Sequence, residues 1–197
     1  FKKKLDLEGT HFILFLGRLN AIKGPDLLLK AFHNIKNKLE DIHLVFVGPD
    51  DGMLSELKQI VSGCKLQDRV HFIGYLGGAD KSNAYHAADL LVIPSRQEAM
   101  SIVVLEAGIS GTPVLLTDQC GFNVIEKIDG GKVVQASVKG IELGLIEILR
   151  DKDRLKSMGS NLKQYTYDNF MWDSVIGKYL TLFKQILDVT EPNNKLE

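Results

Sequence analysis

Short, mostly apolar runs alternate along this chain with longer stretches whose apolar residues return every three or four positions. The runs are 12–16, ended by Gly17; 43–47, ended by Gly48-Pro49; 70–73, followed by Gly74; 90–93, ended by Pro94; 113–116; and 132–134, after Asp129-Gly130-Gly131. Apolar runs this short, bounded by Gly or Pro, read as buried strands. Between the first two, Leu27, Leu28, Ala31, Phe32 and Ile35 share one helical face, and Pro25 suits the first turn because its missing N–H costs nothing there. Met53, Leu54, Leu57, Ile60 and Val61 form the next helical face. A short helix is predicted over 81–88 with Tyr85 and Ala88 on one side, and another over 102–110 with Gly111 as its stop. From Ser137 the pattern is helical almost to the end, with Leu143, Ile146, Ile148, Leu149, Leu155 and Met158 as expected core.

Strands that are apolar throughout, each followed by an amphipathic helix, imply an α/β protein with a parallel sheet covered on both faces. The right-handed crossover rule makes this a doubly wound, Rossmann-like domain. Ligands of such sheets sit at the carboxyl ends of the strands, so the informative segments are 17–24, 48–52, 74–80, 94–101 and 117–124. There is no internal repeat. The segment 190–197 is polar, contains Pro192 and is expected to fray.

Composition narrows the function classes. Of 197 residues, 24 are Lys or Arg and 25 Asp or Glu, a net charge of -1, so no broad positive field is present to hold a nucleic-acid backbone. No apolar run is long enough to span a bilayer. The basic start Phe1 to Lys4 is not followed by an apolar stretch, so no secretory signal is expected. Cys64 and Cys120 match no metal spacing and read as free thiols; the five histidines form no ligand pattern, and no metal site is expected.

Two segments carry candidate chemistry. The first loop, Gly17-Arg18-Leu19-Asn20-Ala21-Ile22-Lys23-Gly24, places a guanidinium and an ammonium where they would clasp a diphosphate, one as a fork and one as a point charge. It is neither a Walker loop nor GxGxxG. The second runs from Pro94 to Ala107. In it Glu98 follows a strand, Ser101 is placed to cap the next helix, and the amides of Ile102, Val103 and Val104 would point out of the helix start as an anion site. Glu106 lies deeper in that helix among apolar neighbours. From residue types alone three readings stay open: a phosphate and sugar site, a glycoside hydrolase with Glu98 and Glu106 as paired acids, and a non-catalytic flavodoxin-like regulatory domain whose charges are merely solvated.

The order of these residues resembles a known family. A strand, Pro-Ser-x-x-Glu, seven residues, Glu-Ala and then Gly-Thr-Pro-Val is similar to the EX7E signature of retaining glycosyltransferases of the GT-B fold, family 4 (glycosyl transferases group 1), with Glu98 and Glu106 as the two acids. The 17–24 loop resembles that family's phosphate loop, Val70 to Tyr75 the strand whose following loop holds the base, and Ala87-Ala88-Asp89 the lead into the fourth strand. The chain departs from the family at Ala99-Met100-Ser101, where Gly-Phe-Gly is usual, and at Cys120-Gly121-Phe122, where Gly-Gly is common. The first departure tightens the loop and bears on sugar choice.

The resemblance implies a donor-binding C-terminal half, matched over about residues 10–184. Arg18, Lys23 and Glu98 would be catalytic: the two cations on the donor diphosphate, Glu98 on hydroxyls of the transferred sugar. Gly17, Tyr75, Ala99, Met100, Ser101, Ile102 and Glu106 would bind the donor, Glu106 by accepting from the ribose diol and the 100–102 amides by donating to phosphate or sugar. The ligand would be a nucleoside-diphosphate sugar, with no cofactor and no metal. Residues 1–9 would link to a preceding acceptor-binding half, 10–168 form the nucleotide-sugar domain, 169–189 a terminal helix packing toward that other half, and 190–197 a disordered tail. Cytoplasmic location is expected, with loose attachment at the inner face of the membrane if the acceptor is lipid-linked.

Overall fold

The apolar runs become the strands of a single parallel sheet in a computed structural model that describes residues 1–39 and 41–190. The strands are β1 (His11–Leu16), β2 (Ile42–Val47), β3 (Val70–Gly74), β4 (Leu90–Ile93), β5 (Val114–Thr117) and β6 (Gly131–Val134), in the order β3-β2-β1-β4-β5-β6. The helices are α1 (Pro25–Ile35), α2 (Leu54–Gly63), α3 (Gly78–Ala87), α4 (Ile102–Ser110), α5 (Val124–Lys127), α6 (Val138–Ile148), α7 (Lys152–Phe170) and α8 (Trp172–Thr190). The doubly wound expectation therefore holds, and strand order reverses between β1 and β4. The loops after those two strands face each other across the crevice such a reversal opens.

Alternation along the strands divides the core. Ile13, Phe15, Leu44 and Phe46 pack under α1, α2 and α6, while Phe12, Leu14, Val45, Val47, Leu91 and Ile93 pack under α3, α4 and α7. α1 begins at Gly24, whose φ of 67° is left-handed, with Pro25 in its first turn. The helical pattern after Ser137, from which only a terminal helix over 169–189 is set apart in the sequence, forms three helices. The Asp151 carboxylate accepts from the Asp153 and Arg154 N–H groups and starts α7 afresh. Met171, with extended backbone, separates α7 from α8. The four-residue helix α5 has too few turns to leave a periodic signal and was not anticipated.

Residues 1–9 contain a 3-10 turn, Lys2–Leu5, and Leu7 is buried in the core beneath the α3–α4 face. On α8 the side chains of Trp172, Ile176, Tyr179, Leu180 and Phe183 are all exposed. No helix among the described residues is long and apolar enough to cross a membrane. Of the tail expected at 190–197, Thr190 ends α8 and residues 191–197 lie outside the described residues.

Gly48, just past β2, has φ +145° and its Cα faces the Gly17 carbonyl so closely that an added Cβ would lie 1.9 Å from that oxygen. Gly52 has φ +97° but open space around it. Gly48→Ala is expected to cost about 3 kcal/mol in urea unfolding and Gly52→Ala about 1 kcal/mol, strain without collision. Equal losses would mean that the β1 loop yields to the new methyl group.

Candidate functional site

The site rests on a loop, 94–101, that leaves β4 between two neighbours. Toward α1, the Arg96 guanidinium grips the Asp26 carboxylate with two parallel bonds of 2.8 Å each, and Nη1 also donates to the Ala21 carbonyl. The Arg96 N–H donates to Ile22 O at 2.7 Å. An added Cβ on Gly24 would lie 2.2 Å from Pro94 O, so the two loops touch backbone to backbone. Toward β5, Glu98 N–H donates to Gln119 O, and Gly121 lies against the Ala99 carbonyl. Burial works to raise the Asp26 pKa. The Arg96 hydrogen bonds and charge, helped by Lys30, outweigh it and hold the carboxyl below its ordinary range.

Clamped in this way, the two loops deliver opposite charges to one point. Lys23 Nζ donates to Glu98 Oε1 at 2.8 Å, and Ser95 Oγ donates to Glu98 Oε2 at 3.0 Å. A cleft of about 100 Å³ opens there, lined by Gly17, Lys23, Ser95, Glu98, Ser101 and Ile102 among others. Above it begins α4. The N–H groups of Met100, Ser101, Ile102 and Val103 have no acceptor among the described residues. The Val104 N–H, expected to be open, donates back to Ser101 O at 3.1 Å. Open amides, the positive end of the helix and a half-buried ammonium together make an anion-binding wall.

The other expected residues lie in separate clusters. Arg18 is exposed, and its Nη1 donates to Asp51 Oδ2 at 3.2 Å, an oxygen that also accepts from Asn20 at 2.7 Å. Glu106 lies one turn into α4 against α3, where Oε1 accepts from Lys81 Nζ at 2.6 Å and Oε2 from the Tyr85 hydroxyl at 2.7 Å. Burial first, then the Glu106 hydrogen bond, pushes the Tyr85 phenol far above its usual range, so it remains a donor. Glu106 is not among the residues lining the 94–101 cleft, in which Glu98 lies. Tyr75, 76% exposed, stands on the loop after β3 over Gly77; Ala99 and Met100 are exposed on the outer side of the loop.

The structure thus gathers Gly17, Lys23, Glu98, Ser101 and Ile102 in one cleft and sets Arg18, Tyr75, Ala99, Met100 and Glu106 outside its lining. Reading the chain in order gave no role to Arg96, Asp26, Ser95, Lys81, Tyr85 or Asp51. After β2, Asp50 starts a turn by accepting from the Gly52, Met53 and Leu54 N–H groups, and Asp51 holds Arg18. Apart from Ser95, three residues from Glu98, each of these partners lies at least 21 residues from the group it holds, so nothing local marks it. A larger cavity, about 840 Å³, opens at the opposite end of the sheet between His11, Lys38, Asp41, Asp89, Arg150 and Lys152. It mixes both signs of charge and lies at the amino ends of the strands, away from the topological crevice.

A parallel sheet that reverses order above a wall of open amides belongs to the class of Rossmann-like domains that bind nucleotide ligands at the switch point. Comparison with known proteins narrows the class. The family model described as Glycosyl transferases group 1 matches residues 1–165, and the chain belongs to that family. It is similar to the uncharacterized glycosyltransferase MJ1607 of Methanocaldococcus jannaschii, 30% identical over 192 residues, which covers 96% of this chain and 49% of that one. Among solved structures it is similar to the C-terminal domain of a glycosyl transferase group 1 family protein (LpcC) of Francisella tularensis, with TM-score 0.76, 22% identity and coverage of 85% of this chain and 91% of that one. It is also similar to Anabaena HepE in complex with UDP, with TM-score 0.83, 20% identity and coverage of 93% and 51%. At such identities the structures show the fold, that of the C-terminal half of a GT-B glycosyltransferase. The chain spans about half the length of the curated relatives it matches.

Two measurements check the geometry. The Asp26 carboxyl is held below the usual value near 3.8, so the clamp's contribution is complete above that value and is lost as pH falls through the lowered one. Arg96→Met is expected to cost about 2 kcal/mol at pH 7, and the gap to the parent should close in strong acid; a gap independent of pH would break the assignment. Tyr85→Phe, which leaves a partly buried carboxylate oxygen short of a donor, is expected to cost about 1–2 kcal/mol, and Lys81→Met, on the more exposed side, under 1 kcal/mol. Urea titration reads both.

Proposed function

We propose that this chain is the donor-binding half of a retaining glycosyltransferase that moves a sugar from a nucleoside-diphosphate sugar to a hydroxyl acceptor, in the synthesis of a polysaccharide, lipopolysaccharide or glycolipid. The observation that carries the reading is the convergence of Lys23, Glu98 and the open amides of residues 100–103 at the sheet's switch point. UDP bound to HepE, a protein of the same fold, supports it.

In this reading the open amides and Lys23 take the diphosphate, and Arg18 leaves Asp51 to join them. As the glycosidic bond to phosphate lengthens, the sugar gains oxocarbenium character and the departing oxygen gains negative charge, which these groups oppose. Glu98, relieved of part of its hold on Lys23, accepts hydrogen bonds from hydroxyls of the transferred sugar. Glu106, braced by Tyr85 and Lys81, accepts from the ribose diol, to which a two-oxygen acceptor is suited. Configuration is retained by attack on the face the leaving group departs from, with Glu98 kept to the sugar hydroxyls. The cations and helix start supply the charge that a metal provides in other transferases, and the activity requires none. The acceptor-binding half precedes this chain and covers the apolar side of α8 at Trp172, Ile176, Tyr179, Leu180 and Phe183. The enzyme works in the cytoplasm, at the inner face of the membrane where its acceptor is lipid-linked.

The test is thermal. A nucleoside diphosphate at about 100 times its Kd stabilises the chain by about 2.7 kcal/mol, a rise of roughly 5–10 °C at this size. Lys23→Ala should remove most of that rise, and the chain alone should transfer little or no sugar. Unchanged melting with UDP, GDP and ADP at millimolar concentration would overturn the reading.

A further inference from the structure

Ser101 is the residue of the cleft whose chemistry is unaccounted for. It stands at the cap position of α4 yet does not cap it: its side chain accepts from no helix N–H. It is 0% exposed, and its hydroxyl has no hydrogen-bond partner among the described residues. Leaving such a group unmade costs about 1–3 kcal/mol, whereas Ser137 and Asp151, the cap residues of α6 and α7, both accept from helix N–H groups. A hydroxyl buried in the wall of an open cleft and not used by the fold is available to whatever enters that cleft.

Its surroundings decide what that is. The N–H groups of residues 100–103 are donors without acceptors, and the Lys23 ammonium is a donor with no accepting capacity. The one carboxylate among the described residues lining the cleft, Glu98, is occupied on both oxygens by Lys23 and Ser95. A sugar hydroxyl must donate as well as accept, and finds few acceptors here. A phosphate oxygen only accepts, and meets donors on every side. Where the family this chain resembles usually has glycine there is no hydroxyl at this position, so the contact is not one the resemblance brings with it.

We propose that the Ser101 hydroxyl donates a hydrogen bond to the terminal phosphate of the bound nucleoside diphosphate, adding a side-chain ligand to the open amides of the α4 start. The inference rests on the nucleotide-sugar reading above and deepens it.

Calorimetry of the 197-residue chain and of Ser101→Ala, with UDP and UMP (and GDP and GMP), tests it. For Ser101→Ala, affinity for the diphosphate should fall roughly tenfold, the size of one charge-assisted hydrogen bond. Affinity for the monophosphate should change less than about twofold. Ser101→Gly, which also lacks the hydroxyl, should repeat the Ser101→Ala pattern, a loss for the diphosphate and little change for the monophosphate. Without ligand, Ser101→Ala should melt no lower than the parent, because an unsatisfied buried hydroxyl has been removed. Equal losses for both ligands, or no loss for either, would overturn the proposal while leaving the nucleotide reading intact. So would a fall in ligand-free melting temperature of about 3 °C, the mark of a lost helix cap at this size. A parent chain that binds no nucleoside diphosphate would remove both.

Discussion

The fork between Arg96 and Asp26 is the contact on which the site is built. It joins the loop after β4 to the first turn of α1, across the crevice where strand order reverses. With the Gly24–Pro94 approach and the Arg96–Ile22 backbone bond, it makes one rigid edge of two loops that the chain separates by about seventy residues. Planar guanidinium and carboxylate fix both distance and angle, which a lysine at position 96 would not do. Lys23 and Glu98 sit one step beyond this clamp on either side, so their meeting is a consequence of it.

The site so formed is neutralised in its ligand-free state. Each cation expected to meet phosphate already has a carboxylate, Lys23 with Glu98 and Arg18 with Asp51, and in the neighbouring cluster Lys81 has Glu106. Such pairing keeps half-buried charges from standing alone, which would be costly. The uncommitted positive potential comes instead from the backbone, in the amides at the start of α4. These cannot be neutralised by a neighbouring side chain without closing the cleft. An anion therefore meets a fixed dipole first and mobile side chains second. This order suits a site that must stabilise charge developing on a departing group.

The two clusters divide the labour along α4. Its first turn faces the cleft with open donors, and its second turn carries Glu106 into the seam with α3, where Tyr85 and Lys81 hold both oxygens. Rigid spacing along one helix thus fixes the distance from the open donors to Glu106. Gly108 and Gly159 let α7 pack closely behind, since a Cβ at Gly108 would lie 2.2 Å from Thr166 Oγ1. The far side of α4 is accordingly fixed.

Much of this was legible in the residues alone, for local reasons. Strand runs stopped by Gly or Pro, helices opened by Pro25 and closed by Gly111, and the spacing of Glu98 and Glu106 are all written in neighbouring positions, and they determined the strands, the doubly wound class and the loops where chemistry would lie. The break at Asp151 and the short helix α5 escaped, because a single cap or one turn leaves no period to read. What tertiary structure alone decided is pairing. Arg96 looks like any solvated loop arginine until β4 is laid beside β1, and Tyr85 like any core aromatic until α3 meets α4. Ser101 looks like an ordinary helix cap until its hydroxyl is found pointing at no helix N–H. A hydrogen bond between groups far apart in the chain has no periodic trace, and its existence depends on the sheet that brings both ends together.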